Sequence, residues 1–127
     1  MNQTEDGFRY LDGKWGHDLT VDQKFRALLR KLRAEFPLQY PVKMRRLDLG
    51  EGKKALSGYC QLANQGKVKE KRYFKISVNQ RHTWSMQFDT ILHEWAHALT
   101  WENPTSQDHS RYWAEAYGKL YRAMVEK

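Results

Sequence analysis

Apolar positions recur along this chain with two periods. Val21, Phe25, Leu28, Leu29, Leu32 and Phe36 fall at helical intervals, and Thr20 and Gln23 ahead of them have capping-box spacing. This pattern predicts a first helix over 20–36, ended by Pro37 and Pro41, because proline lacks a backbone donor and biases its predecessor away from helical angles. Three strand-like runs follow, 42–49, 55–63 and 68–78, separated by Gly50-Glu51-Gly52 and Asn64-Gln65-Gly66, both with turn chemistry. In the third run Phe74, Ile76 and Val78 alternate with Tyr73, Lys75 and Ser77, the period of a strand with one buried face. A helical period returns over 85–101, breaks at Asn103-Pro104-Thr105-Ser106 and resumes over 108–125, where Trp113, Ala116, Tyr117, Leu120 and Met124 form an apolar stripe. The expected architecture is α+β: an N-terminal helix, a small three-stranded, mainly antiparallel meander, and two further helices. Residues 1–18 combine Gly7, Gly13 and Gly16 with Phe8, Tyr10, Leu11 and Trp15 without either period, so they read as an irregular N-terminal arm before a domain at 19–127.

A length of 127 residues matches one domain with one core. The lone cysteine, Cys60, rules out an internal disulfide, a four-cysteine zinc site and an iron–sulfur cluster, and it points to a reducing compartment. Within a strand Cys60 reads as a small core residue. The first residues are polar and acidic, and no run of about 18 apolar residues occurs, so the expectation is a cytoplasmic chain without a membrane partner. Net charge is +7 but unevenly spread: residues 23–82 carry +12 and the remainder −5. Lys24, Arg26, Arg30, Lys31 and Arg33 on the first helix, then Lys43, Arg45 and Arg46, then Lys67, Lys69, Lys71, Arg72 and Lys75, could follow the phosphates of DNA or another polyanion. No recognised base-reading motif accompanies them, and a solvated charged surface is the competing explanation.

The chemically informative segment is His93-Glu94-Trp95-Ala96-His97, an H-E-x-x-H within the second predicted helix. At about 100° per residue the two histidines lie one turn apart on one side, where both imidazoles can reach a single Zn²⁺. Glu94 sits beside them, better placed to take a proton from water than to ligate. Phe88, Ile91, Leu92, Trp95, Ala98 and Leu99 cluster opposite Met86, Asp89, Thr90, His93, His97 and Thr100, so a core face and a histidine face are expected to be separate. Catalytic zinc usually keeps three protein ligands and one open position. His109, 12 residues after His97 and at the start of the third helix, is the first choice for the third. Glu115 is the alternative, with Glu102 and Asp108 behind it. The metzincin pattern fails, since its glycine position is Thr100 and its third histidine position Asn103. Asp89, four residues before His93, either orients a ligand's second ring nitrogen or meets solvent, and solvent is the favoured reading. Candidates for stabilising an oxyanion are Tyr112 and Arg111, with Tyr117, Tyr121 and His82 also open. His17 and His82 read as structural or surface residues.

His93-Glu94-Trp95-Ala96-His97-Ala98-Leu99 followed by His109-Ser110-Arg111-Tyr112-Trp113 resembles the SprT-like zinc metallopeptidase domain family, whose signature is H-E-x-x-H and then a histidine with an aromatic four residues later. The resemblance spans about residues 19–125. Two departures stand out: Ser110 replaces the glycine that commonly follows the third histidine, and one cysteine cannot build the C-terminal zinc ribbon many members carry. The chain therefore resembles a minimal catalytic core. The resemblance implies a zincin-like fold and a zinc-dependent endopeptidase acting on protein or peptide substrates, with cleavage of DNA-associated proteins as the family's best-known role. One Zn²⁺ per chain, held by His93, His97 and His109, would acidify its water and polarise the scissile carbonyl while Glu94 moves the proton. In zincins generally an edge strand beside the active-site helix receives extended substrate, a place the strand at 72–79 would fill. The competing classes are a basic nucleic-acid-binding module with a structural zinc, and an assembly factor whose zincin fold is not catalytic.

Overall fold

The first helix begins with a complete capping box. The Gln23 N–H donates to Thr20 Oγ1 at 3.2 Å, and the Thr20 N–H donates back to Gln23 Oε1 at 2.8 Å. This computed structural model describes residues 19–101 and 111–125, and in it α1 runs Val21–Glu35. Phe25, Leu28 and Leu32 bury one side of α1 in the core, at the helical spacing read from the sequence.

Three strands follow: β1 (Val42–Leu47), β2 (Gly58–Ala63) and β3 (Tyr73–Asn79). Their order in the sheet is β1-β3-β2, with β3 parallel to β1 and antiparallel to β2. The expected meander is thus corrected to a mixed sheet, and β3 is its centre rather than an edge. The cause lies in segment 48–57. Gly50 and Gly52 take positive φ (94° and 79°), and the buried Asn79 side chain ties the segment to the end of β3. Asn79 Nδ2 donates to the carbonyls of Gly50 and Leu56, both at 2.9 Å, while its Oδ1 accepts from the Leu49 N–H at 3.3 Å and the Arg81 N–H at 3.0 Å. With every polar atom of that amide satisfied, the segment is held as a crossover past the end of β3, and β1 and β2 cannot pair.

Side-chain alternation gives the sheet two unlike faces. Phe74, Ile76 and Val78 of β3, with Val42 and Leu62 beside them, join α1 residues and Trp95, Leu120 and Met124 in one apolar cluster. On the other face β1 and β3 place Lys43 opposite Lys75 and Arg45 opposite Ser77, while β2 adds Tyr59 opposite Ser77 and Gln61 opposite Lys75. Helix α2 (Trp84–Leu99) packs on β2 and β3, and α3 (Arg111–Met124) packs on α2. The domain is therefore α+β, with its described helices on one side of a small sheet. Among the described residues no helix is long and apolar enough to cross a membrane.

One contact sets how closely α2 meets the sheet. A Cβ on Gly58 would lie 2.5 Å from the Ser77 carbonyl oxygen and 2.7 Å from Thr90 Cγ2. Since the carbonyl belongs to the central strand, it cannot move aside without disturbing the pairing. Gly58→Ala is expected to lower stability by about 1–3 kcal/mol, the usual cost of overpacking. Urea denaturation checks this, and an unchanged midpoint would contradict the close seating.

Candidate metal centre

Helix α2 starts at Thr83, whose hydroxyl accepts from the Met86 N–H at 3.3 Å. Phe88, Ile91, Leu92, Trp95 and Ala98 are buried as expected, and Trp95 also donates its indole N–H to the Phe36 carbonyl at 2.9 Å. The opposite side departs from expectation. Thr90, Glu94, His97 and Thr100 are buried too, so the histidine side is not a separate solvent face. Among the described residues two neighbours cover it: β2, through Gly58 against Thr90, and α3, through Trp113.

His93, Glu94 and His97 present ligand atoms that all lie within 4.8 Å of one another, the metal-competent group found among the described residues. The imidazole centroids are 5.0 Å apart, and His93 Nε2 lies 4.0 Å from Glu94 Oε2. Imidazole and carboxylate form a donor set suited to zinc, and their clustering meets the first geometric requirement for holding it. Burial pushes the Glu94 carboxyl up to about 7. Cys60, on the helix-facing side of β2, is held as a thiol: burial, then the Glu94 carboxylate, raises it to about 12, in keeping with its reading as a packing residue.

Trp113 belongs to the apolar stripe of the sequence and is the aromatic four residues after His109, and neither pattern indicates what its ring touches. Its ring centroid lies 4.8 Å from that of His93 and 5.5 Å from that of His97, and its indole N–H donates to the His93 carbonyl at 3.1 Å. One side chain at the start of α3 thereby touches both histidines and the backbone that carries one of them. Tyr117 stacks on Trp113 at 5.3 Å with the planes 6° apart, and its hydroxyl donates to Asp89 Oδ1. Asp89 therefore has a protein partner, which corrects its favoured reading as a residue that meets only solvent. The signal was the spacing: Asp89 and His93 are four apart on α2, as are Trp113 and Tyr117 on α3, so two matched faces meet. Burial, followed by the hydrogen bond to Asp89, raises the Tyr117 hydroxyl above its ordinary value.

Other sequence candidates lie elsewhere. Glu115 is exposed, pairs with Arg111 at 3.6 Å and is not in the His93–Glu94–His97 group. Tyr112 is exposed and lines a cleft with Phe36, Leu99, Thr100, Glu115 and Lys119. The Arg111 guanidinium lies 5.9 Å over the Tyr112 ring. Tyr121 is exposed, and His82 sits at the turn into α2, where its carbonyl accepts from Gln87 Nε2 at 2.7 Å. His109, Glu102, Asp108 and His17 lie outside the described residues.

Nor do the basic candidates form one surface. Lys24 is buried, Arg46 turns to the helix side and donates to Gln87 Oε1 at 2.9 Å, and Arg33 donates to the Val42 carbonyl at 2.8 Å. Arg26 pairs with Asp22, and Lys31 with Glu35 at 3.6 Å. Arg72 reaches the Tyr40 hydroxyl and the Lys67 carbonyl, both at 3.3 Å. Arg30 is exposed on α1, Lys67, Lys69 and Lys71 are exposed between β2 and β3, and Lys43, Arg45 and Lys75 share the open sheet face.

No family model, curated protein or solved structure matches the chain.

The bond between α2 and α3 gives a direct test. Tyr117→Phe and Asp89→Asn should each lower stability by about 1 kcal/mol, the scale of a partly exposed hydrogen bond to a charged group. A double-mutant cycle in urea should show the two losses to be non-additive, whereas additive losses would mean the pair does not fasten α3 to α2.

Proposed function

We propose that this protein is a zinc-dependent endopeptidase with a zincin-like fold, hydrolysing peptide bonds of protein substrates at His93, Glu94 and His97. The observation that carries the reading is the meeting of these three donors within 4.8 Å on one enclosed helical turn. Two of the donors belong to His93 and His97, the ligand pair of the H-E-x-x-H pattern. His109 is the third ligand in this proposal. Helix α3 begins at Arg111, two residues after it, and its first turn brings Trp113 against both histidines. Glu115 is the weaker alternative because it is exposed and paired with Arg111.

Zinc held there supplies a Lewis acid that polarises a carbonyl and makes water acidic near neutral pH. The chain's own residues do the rest. Glu94, buried beside the two histidines, accepts the proton of the attacking water and returns one to the leaving amine. Trp113 holds the imidazoles in orientation, and the Asp89–Tyr117 bond holds Trp113's helix. Extended substrate is received along β2 rather than β3. Among the described residues β2 pairs on one side only, and its Gly58 lies under Thr90 of α2.

Glu94→Gln is expected to keep about one zinc per chain by metal analysis while hydrolysis of a casein-type substrate falls by about 10²–10⁴-fold, the usual contribution of a general base. His93→Ala should lose both metal and activity. Undiminished hydrolysis by zinc-loaded Glu94→Gln would overturn the mechanism.

A further inference from the structure

The face of the sheet turned away from the described helices is built against its own stability. Lys43 of β1 and Lys75 of β3 are register partners, so two cationic side chains leave adjacent backbone positions on one face. Like charges in that relation destabilise a sheet. Arg45 follows Lys43 on the same face, and no acidic residue occupies any outward position of the three strands. Asp48 and Glu51 lie close by in segment 48–57, but Arg81 engages both, at 2.6 and 3.1 Å. The Arg81 guanidinium and the Gly50 N–H hold Asp48 well below the usual carboxylate range, at about 2. The charge on the face is thus left without a carboxylate to balance it on the strands themselves.

Aromatic rings are interleaved with that charge. Tyr73 precedes Lys75 by two residues on β3, and the Lys43 ammonium lies 4.6 Å over its ring. Tyr59 lies across the sheet on β2, in the same row as Ser77 and Arg45. Ser77 and Asn79 are buried, so the accessible part of the face is the end bearing Lys43, Lys75, Tyr73 and Gln61 together with Arg45 and Tyr59. Exposed short helices extend the charge beyond both ends: Gly52–Lys54, in the crossover held at Asn79, and Lys69–Lys71, in the connection leading into Tyr73. The strip is about 20 Å long at the usual rise per strand residue.

We propose that this face binds single-stranded nucleic acid, with Lys43, Arg45 and Lys75 on its phosphates and bases stacked on Tyr73 and Tyr59. An acidic peptide would satisfy the charges but give the rings no planar partner. Duplex bases, already stacked on one another, cannot lie flat on a sheet, whereas unpaired bases can. The surface lies on the opposite side of the sheet from α2, so the inference does not depend on the metal reading. A protein substrate bound to nucleic acid could still be brought to the same domain by it.

The test is fluorescence anisotropy of a labelled oligothymidylate with the full chain over a salt series, alongside the same sequence as duplex and a polyglutamate competitor. Lys43→Gln/Lys75→Gln should weaken binding and reduce the slope of log affinity against log salt by about 1.4, two phosphate contacts at about 0.7 each. Tyr73→Ala should weaken it about tenfold, within the range for one stacked base. Arg30→Gln, on α1 across the sheet, should have a much smaller effect. Thermal unfolding of the double variant without nucleic acid should show a midpoint close to the parent's, because relief of the like-charge pair offsets loss of the Lys43–Tyr73 contact, which separates loss of binding from loss of fold. Equal affinity of parent and double variant, preference for duplex, or polyglutamate binding without oligothymidylate binding would each overturn the proposal. Glu94→Gln should bind oligothymidylate like the parent, so failure here and failure of the peptidase reading give different results.

Discussion

The enclosure of α2 is the constraint on which the rest of the structure depends. A helix with Phe88, Ile91, Leu92 and Trp95 on one side would ordinarily leave its other side to water, yet Thr90, Glu94 and His97 are buried as well. Gly58 lets the sheet approach Thr90 to a distance no side chain at that position would permit, and Trp113 covers the histidines from α3. The Glu94 carboxyl and the His97 imidazole are thereby held with little solvent, beside a His93 side chain that is 33% exposed. Two imidazoles and a carboxylate whose ligand atoms lie within 4.8 Å of one another are a donor set that suits a divalent cation, and this is the reason to read them as a candidate metal centre rather than as surface histidines.

That arrangement divides the molecule by the two faces of its sheet. On the helix side, packing fixes the orientation of the proposed ligands through a chain of contacts running from Asp89 through Tyr117 and Trp113 to His93 and His97. On the other side, turned away from the described helices, charge and aromatic rings occupy the outward positions. The +12 segment of the sequence is therefore not a single surface. Part of it supports the fold, as with Arg33, Arg46 and Arg72, part is paired locally on α1, and the remainder gathers on the open face.

Local features were legible in the sequence because they depend on neighbours in the chain. The capping box of α1, the turn glycines, the alternation in β3 and the H-E-x-x-H helix all rest on short spacings, and each appears where the spacing placed it. Strand order was not legible. Turn chemistry at Gly50 and Gly52 suits a hairpin and a crossover alike, and the choice is made by the Asn79 amide, more than 20 residues further along, on the far side of β2. The same holds for Asp89, whose partner Tyr117 comes from a different helix, and for Trp113, whose apolar spacing concealed its contact with the histidines. The H-E-x-x-H pattern brought the candidate site into view, but the burial of Glu94 and His97 required the tertiary neighbours β2 and α3. Oxyanion candidates chosen by residue type alone, Tyr112 and Arg111, are exposed on α3 because type carries no direction.

The central claim is that His93 and His97 hold zinc with Glu94 beside it. Anomalous diffraction on either side of the zinc absorption edge, from crystals of the zinc-loaded chain, tests it most directly. The account predicts a single strong peak about 2.0–2.1 Å from a ring nitrogen of each histidine, the usual zinc–imidazole distance, with His109 completing the protein ligands and the Glu94 carboxylate outside ligand distance. No peak between the two imidazoles, or one held by other residues, would contradict it.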